Sequence, residues 1–385
     1  MADSSSQSAK TNGDGNAARR RVVVLAGDGI GPEVTFAAVS ILKACTTESG
    51  NPLEFVEMPF GGAAIDRCGS PLPAETLDAC RSADAILLGA VGGPRWDSLP
   101  IGKRAESGLL DLRKELGLYV NLRPIRVRPA LLGVSPLRPE RARGVDIEIV
   151  RELAGGIYFG EHRSDGANGV ERASDLECYS TQEIERVAQF AFERAASRHN
   201  KLISVDKANV LASSGLWRRV VTGLGASHPN VKLDHMYVDN AALQLVIAPR
   251  NFDVILTSNM FGDILSDGAA GVAGSLGLIP SMSWGLGPSL FEPIHGSAPS
   301  LAGRDVACPI GAISSAAMLL RESFGMHNEA AGIESAVDHV LETGLRTPDL
   351  ATRGDDVVGC SGFAARVGEA LHERFSQVER YGWGV

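Results

Sequence analysis

Two aspartates four residues apart, Asp263 and Asp267 in the stretch NMFGDILSD, are the first sign of chemistry in this chain. On a helix, positions i and i+4 share a face, so like charges there repel and weaken the helix. A hard divalent cation reverses that penalty, because Mg2+ takes one or two protein carboxylates together with substrate and water oxygens. A solvated helix face is the competing explanation. A third acid, Asp239 in YVDNAALQL, ends an apolar strand pattern and opens a helical one. Capping the helix N-terminus is its simplest role.

Other stretches supply cations and proton carriers. Lys207, in SVDKANVL, stands just past a strand pattern, where α/β folds gather their sites. A lysine there carries a proton if its neighbours lower its pKa, and is otherwise a surface cation. Arg151 and Tyr158 lie in VRELAGGIYFG, and Arg113 and Arg123 in LLDLRKELGLYVNLRP. Arginines grip carboxylates as planar forks, although any one of them alone reads as surface charge. His295, Gly296 and Ser297 form a small polar turn whose N–H groups suit a phosphate, or a plain surface loop. Together these signals suggest three acids for a metal, three arginines for a polycarboxylate anion, and a Tyr and a Lys for proton transfer.

One glycine-rich turn argues the other way. LAGDGIGPEV spaces its glycines as G-x-G-x-G, not G-x-G-x-x-G, and Asp28 would aim a negative charge at a pyrophosphate. Pro32 and Glu33 then open a helix, as first-turn residues should. If the chain binds a nucleotide, another segment does most of the work.

The elements that must hold these residues follow from composition and pattern. With 385 residues, 44% of them hydrophobic, the chain has enough apolar material for a large core in two or three domains. A net charge of −9, with Arg19–Arg21 as the one like-charge block, makes nucleic acid and anionic membranes poor partners. Six scattered cysteines without C-x-x-C read as reduced thiols of an intracellular protein. No apolar run reaches the roughly 18 residues of a membrane span. Residues 1–20 are polar and are expected to form a disordered tail. They lack the apolar core of a secretory signal, and Asp3 and Asp14 count against a transit peptide, so a cytoplasmic location is expected. Strand patterns at 22–25, 85–88, 145–150, 202–205 and 253–257 alternate with helical patterns at 32–45, 181–198, 309–324 and 363–377. That alternation predicts an α/β protein with a largely parallel sheet. Residues 155–180 break the rhythm and read as a projecting hairpin of the kind that serves as an oligomer arm.

In this order, GDGIGPEV, LLGAVGGPRW, GLLDLRKELGLYVNLRP, VRELAGGIYFG, VDKANVL, NMFGDILSD and HGSAP resemble the β-decarboxylating dehydrogenases of the isocitrate/isopropylmalate family. The resemblance runs from about Val22 to the C-terminal helix. It implies an isopropylmalate dehydrogenase-like two-domain α/β fold that is not a Rossmann fold. A large nucleotide-binding domain would comprise residues 21–118 and 274–385. A small dimerisation and substrate domain would comprise residues 119–273, with the hairpin arm near 155–180. The HGSAP loop would build most of the nucleotide site, so Asp28 need not face a pyrophosphate.

The resemblance also implies an activity and roles. The activity is metal-dependent oxidative decarboxylation of 3-isopropylmalate to 4-methyl-2-oxopentanoate and CO2 with reduction of NAD, in leucine synthesis. Arg113, Arg123 and Arg151 would clamp the substrate carboxylates. Leu109 and Leu110, with Val210, would accept the isopropyl group. Asp239, Asp263 and Asp267 would hold Mg2+ or Mn2+. Lys207 would help take the hydroxyl proton, Asp239 would join the catalytic set, and Tyr158 would protonate the enolate. Lys207 and Asp239 would come from the neighbouring subunit of a homodimer. Glu106, Asn209, His295, Gly296, Ser297, Ala298, Ser300 and Cys308 would border the cofactor. Two positions depart from the pattern: Ser300 replaces the Asp usual in NAD-dependent members, and Cys308 replaces an Asn. The Lys-Tyr pair of NADP-dependent isocitrate enzymes is also absent, since Leu301 follows Ser300. NAD is therefore expected, with NADP not excluded. A paralogue acting on another 3-substituted malate, or a catalytically poor regulatory subunit, are the alternatives.

Overall fold

The computed structural model describes residues 19–167 and 170–381, and residues 1–18 of the expected tail lie outside the described residues. Arg20, at the end of that tail, is held: its guanidinium lies over the Phe324 ring and donates to the Phe324 carbonyl at 3.1 Å.

A ten-stranded sheet forms the centre. From one edge its order is β2 (Glu54–Glu57), β1 (Arg21–Gly27), β3 (Ala85–Ala90), β12 (Leu290–Pro293), β11 (Pro280–Gly285), β4 (Leu118–Arg126), β5 (Asp146–Glu152), β10 (Val254–Thr257), β8 (Lys201–Asp206) and β9 (Lys232–Tyr237). The three pairings that involve β4 with β5, β4 with β11, and β11 with β12 are antiparallel, and the other six are parallel. Strands covered on both faces must be apolar along their length. β3, AILLGA, is buried at every residue, and Val22–Leu25 of β1 are buried likewise.

The expected domain boundaries fall at the start of β4 and at the end of the helix Asn259–Ala273. The sheet runs across them through the β4–β11 pairing. That pairing has a polar centre. Asn121 is fully buried and donates to Ser281 Oγ at 2.8 Å and to the Met282 carbonyl at 3.3 Å.

The helices Gly31–Glu48, Ile310–Phe324, His327–Glu342 and Cys360–Tyr381 pack on one another beside β1 and β3. The helices Thr181–Ala196 and Ala212–Gly225 pack together beside β8. The first opens with a capping box, Ser180 and Glu183 each satisfying the other's backbone N–H. β6 (His162–Ala167) and β7 (Val170–Asp175) form a separate antiparallel hairpin where the arm was expected, and every residue of β7 is exposed. β13 (Leu345–Arg346) and β14 (Asp356–Val357) form a short outlying pair. All six cysteines are unpaired. Among the described residues, no helix is long and apolar enough to cross a membrane.

Candidate active site

A cavity of about 470 Å³ opens over the ends of β3, β5 and β12. Leu109, Leu110 and Arg113 reach it from the helix Ala105–Glu115, along with Glu106 of its first turn. Arg123 comes from β4 and Arg151 from β5, while Tyr158 follows β5 on a single 3-10 turn, Gly156–Tyr158. Asp263 enters from the helix Asn259–Ala273, and His295 and Gly296 from the loop after β12.

The three arginines are buried, and each is aimed by specific partners. Arg113 donates to Glu292 Oε1 at 2.6 Å, and its Nε has no partner. Arg123 donates from Nε to Asn121 Oδ1 at 2.7 Å and from Nη1 to Ser266 Oγ at 2.7 Å. Arg151 donates from Nε to Asn259 Oδ1 at 2.9 Å and from Nη1 to Asp263. Gly262 is required beneath it, since a Cβ there would stand 2.6 Å from the Arg151 Cγ. Burial lowers the pKa of Arg151 to about 10, and the neighbouring Arg123 charge pushes the same way. Burial likewise lowers Arg123. Desolvated cations that depress one another in this way are stabilised by an added anion.

The acids complete this half of the site. Asp263 and Asp267 share one helix face, and both meet Arg123, at 3.5 and 3.4 Å. Tyr158 donates its hydroxyl to Asp263 Oδ2 at 3.1 Å. Burial and the Asp263 charge raise the Tyr158 pKa. Burial also raises that of Asp267, with Asp263 adding to it. Two facing carboxylates of which one is pushed toward protonation suit a cation, and hard oxygen donors suit Mg2+ or Mn2+.

Other expected site residues stand elsewhere in the chain. Lys207 follows β8 and pairs with Asp239. Asp239 does not cap its helix. The cap position of Val238–Ile247 is Tyr237, and Asp239 lies in the first turn, where its carboxyl is held below the usual range by Lys207. Asn209 is exposed, and Val210, 70% exposed, does not line the cavity with Leu109 and Leu110. Neither Lys207 nor Asp239 lines it either. Further along the Asp239 helix, Leu243, Val246 and Ile247 are exposed, as is Ile264 of the helix Asn259–Ala273, at 41 to 61%.

The loop 295–300 is braced from below by the glycine-rich turn. Ile30 N donates to the Ser297 carbonyl at 2.8 Å, and a Cβ on Gly29 would stand 1.9 Å from that oxygen. Asp28 turns inward. Its carboxylate accepts from the backbone N–H groups of Gly62, Ala63 and Gly92 at 2.7–2.9 Å, so it knits the loop bases together. Ala298 takes a left-handed conformation with φ of 37°, a strain that local structure must hold in place. His295 Nε2 is buried without a partner, and burial lowers its pKa, which leaves a neutral ring with a free polar atom. Ser300 is exposed, with Arg304 donating to its carbonyl at 3.5 Å. Cys308 is buried, its Cβ 2.7 Å from the position a Cβ would take on Gly277. The structure therefore gives this thiol no exposed face toward a cofactor.

Sequence reasoning missed Glu292, Asn121, Ser266 and Asn259, the groups that aim the arginines. Their one signal is polarity inside apolar strands, at a helix start or, for Ser266, in mid-helix between Asp263 and Asp267.

The sequence matches the family model described as isocitrate/isopropylmalate dehydrogenase over residues 21–367. It is 52% identical to the 3-isopropylmalate dehydrogenase of Parasynechococcus marenigrum (strain WH8102), over 92% of this chain and all of that one. It is 53% identical to the 3-isopropylmalate dehydrogenase of Geobacillus kaustophilus (strain HTA426), over 91% of this chain and 95% of that one. Among solved structures, an isocitrate dehydrogenase from Methylococcus capsulatus superposes with a TM-score of 0.82 at 33% identity, covering 91% of this chain and 99% of the other. A β-decarboxylating dehydrogenase from Thermococcus kodakarensis gives 0.77 at 39% identity, covering 94% and 98%.

Proposed function

The chain belongs to the isocitrate/isopropylmalate dehydrogenase family and is a dehydrogenase, and from that premise we propose that it oxidatively decarboxylates 3-isopropylmalate with NAD in leucine synthesis. The observation that carries this reading is one cavity lined by three arginines and two leucines. Arg113, Arg123 and Arg151 bind the two carboxylates of the malate. Leu109 and Leu110 take the isopropyl group, each buried CH2 contributing about 0.8 kcal/mol. Isocitrate carries a third carboxylate at that position and is disfavoured by an apolar wall.

Asp263 and Asp267, with Asp239, hold Mg2+ or Mn2+. When bound, the ion supplies Lewis acidity at the C2 oxygen and the nicotinamide supplies the hydride acceptor. Lys207 takes the C2 hydroxyl proton as C2 is oxidised. Tyr158 then gives its proton to C3 once CO2 has left; its raised pKa keeps that proton available at neutral pH. In one chain Lys207 and Asp239 stand apart from the cavity. A homodimer with shared active sites brings them to the partner's cavity. The exposed apolar face around Leu243 and Ile264 and the solitary hairpin support that reading, since an isolated hairpin is marginal in water. The loop His295–Ser300, together with Glu106 and Asn209, borders the cofactor. The enzyme works in the cytoplasm as a large nucleotide domain and a small substrate domain.

Purified protein assayed with Mn2+ and NAD should prefer 3-isopropylmalate to malate and isocitrate. Faster turnover of isocitrate would overturn the substrate assignment.

A further inference from the structure

Tyr158 owes its place to a turn rather than to a regular element, and two buried side chains clamp that turn from opposite sides. Glu152, the last residue of β5, is fully buried. Its two carboxylate oxygens accept from the N–H groups of Ala154 and Gly155, each at 2.9 Å. Asn259, also buried, donates from Nδ2 to the Gly155 carbonyl at 3.0 Å. Gly155 is thus gripped at both its N–H and its carbonyl. The same Asn259 accepts from Arg151 Nε through Oδ1, and its own N–H donates to the Tyr179 hydroxyl at 2.9 Å. Tyr179 in turn fills the space beside the turn: a Cβ on Gly156, whose φ is 75°, would lie 2.3 Å from its hydroxyl oxygen. Two residues later the Tyr158 hydroxyl reaches Asp263.

We propose that Glu152 and Asn259 are positioning residues that hold the Tyr158 hydroxyl in register with Arg151 for proton delivery to C3, a reading that rests on the acid role given to Tyr158 above. Neither touches the cavity. Asn259 fixes the distance between the arginine that binds a substrate carboxylate and the turn that bears the acid. Glu152 keeps that turn from relaxing. A carboxylate suits the second task, because only an acceptor at both oxygens satisfies two converging N–H groups. The rate of proton delivery falls off steeply with misplacement of the donor, and a displacement of about 1 Å costs on the order of a hundredfold.

The test uses the full chain and compares Glu152→Gln with Tyr158→Phe. An amide offers one acceptor and presents an NH2 group to the other N–H, so the turn loosens while the volume is kept. For Glu152→Gln the expected result is a fall of about tenfold in kcat with KM for 3-isopropylmalate, NAD and Mn2+ within twofold. The solvent deuterium isotope effect on kcat should rise, because proton delivery becomes slower than the steps before it. A structural role alone would lower the melting temperature without that split. An unchanged kcat and isotope effect in Glu152→Gln, beside a strongly impaired Tyr158→Phe, overturns the positioning role. An unimpaired Tyr158→Phe overturns instead the acid role on which it rests. If Glu152→Gln does not fold, Asn259→Asp gives the same reading, since it keeps the acceptor for Arg151 and removes the donor to Gly155; an unchanged kcat there sinks the proposal.

Discussion

The cavity half and the edge half of the candidate site are built in opposite ways. Around Arg151 the polar groups interlock: Asn259 meets Arg151, Gly155 and Tyr179, and Asp263 meets Arg151, Arg123 and Tyr158. At the sheet edge, half-buried Lys207 and exposed Asp239 have chiefly each other, and Leu243 on the Asp239 helix is exposed. Exposed ion pairs contribute about 0–1 kcal/mol, so this pair adds little to the stability of the fold. The contrast teaches that the cavity residues are fixed by partners from several elements, whereas the edge pair is fixed by little besides itself.

The largest expected effect breaks the comparison directly. Tyr158→Phe and Lys207→Ala should each lower kcat by about 10²–10⁴, the usual range for loss of a positioned proton carrier. Mixed under conditions of subunit exchange, the two variants should regain activity if Lys207 serves the partner's cavity. No recovery despite exchange proven by mass spectrometry would place both roles in one chain.

Next come the acids proposed to hold the metal, which the two halves contribute unequally. Losing a group that only supports a metal ligand costs 10–100-fold in affinity, so Asp263→Asn or Asp239→Asn should each weaken Mn2+ binding by more than about a hundredfold. Only Asp263→Asn also frees Arg151 and Arg123, so only it should change substrate binding measured without metal. Equal effects of both on metal-free binding would erase the distinction. A smaller effect is expected at the apolar face. Leu243→Lys removes about 1.5–3 kcal/mol of side-chain burial per chain if that face is covered. Sedimentation should then show dissociation and loss of activity with an unchanged circular dichroism spectrum. An unaltered association state would free this face from the interface.

Of comparable size is the effect expected at the proposed cofactor loop, where Ser300 is exposed. A charge-assisted hydrogen bond contributes about 1.5–3 kcal/mol, so Ser300→Asp should lower KM for NAD by about tenfold or more and worsen NADP use. An unmoved NAD/NADP ratio would mean that position 300 does not face the ribose.

How much of this was legible in the sequence follows the same division. β1 and β3 were visible because strands buried on both faces must be apolar runs, and the arm was visible from its Gly/Asn turn. β4, β11 and β12 were not, because Asn121, Arg123, Ser281, Ser283 and Glu292 put polar groups inside the sheet where patterning expects apolar ones. The charged residues facing the cavity could be picked by type and spacing. The neutral residues that aim them could not, since an Asn beside an Arg in sequence says nothing of which Arg it meets in space. Asp239 read as a cap because its pairing with Lys207 joins residues 32 positions apart.

The smallest effect separates the halves by pH. Glu152 is buried, and that burial raises its pKa to about 7, against the N–H groups of Ala154 and Gly155 and the Arg186 charge, which lower it; Glu183 adds slightly to the rise. Tyr179 packs on the same turn, and its own raised pKa keeps it neutral here. The edge acid Asp239 moves the other way, below the ordinary carboxylate value. An acid with a raised folded pKa is ionised above that pKa and takes up a proton as pH falls through it. Protonation of Glu152 removes one of its two acceptors, as Glu152→Gln does. At pH 6 about nine-tenths of Glu152 is protonated, so with a tenfold penalty for the loosened turn kcat should fall about fivefold between pH 8 and pH 6. In Glu152→Gln that fall should be absent, while the Lys207→Ala and Tyr158→Phe pair should still complement at either pH. An acid limb near pH 7 that survives in Glu152→Gln would assign the titration to another group and leave the pH response outside the cavity half.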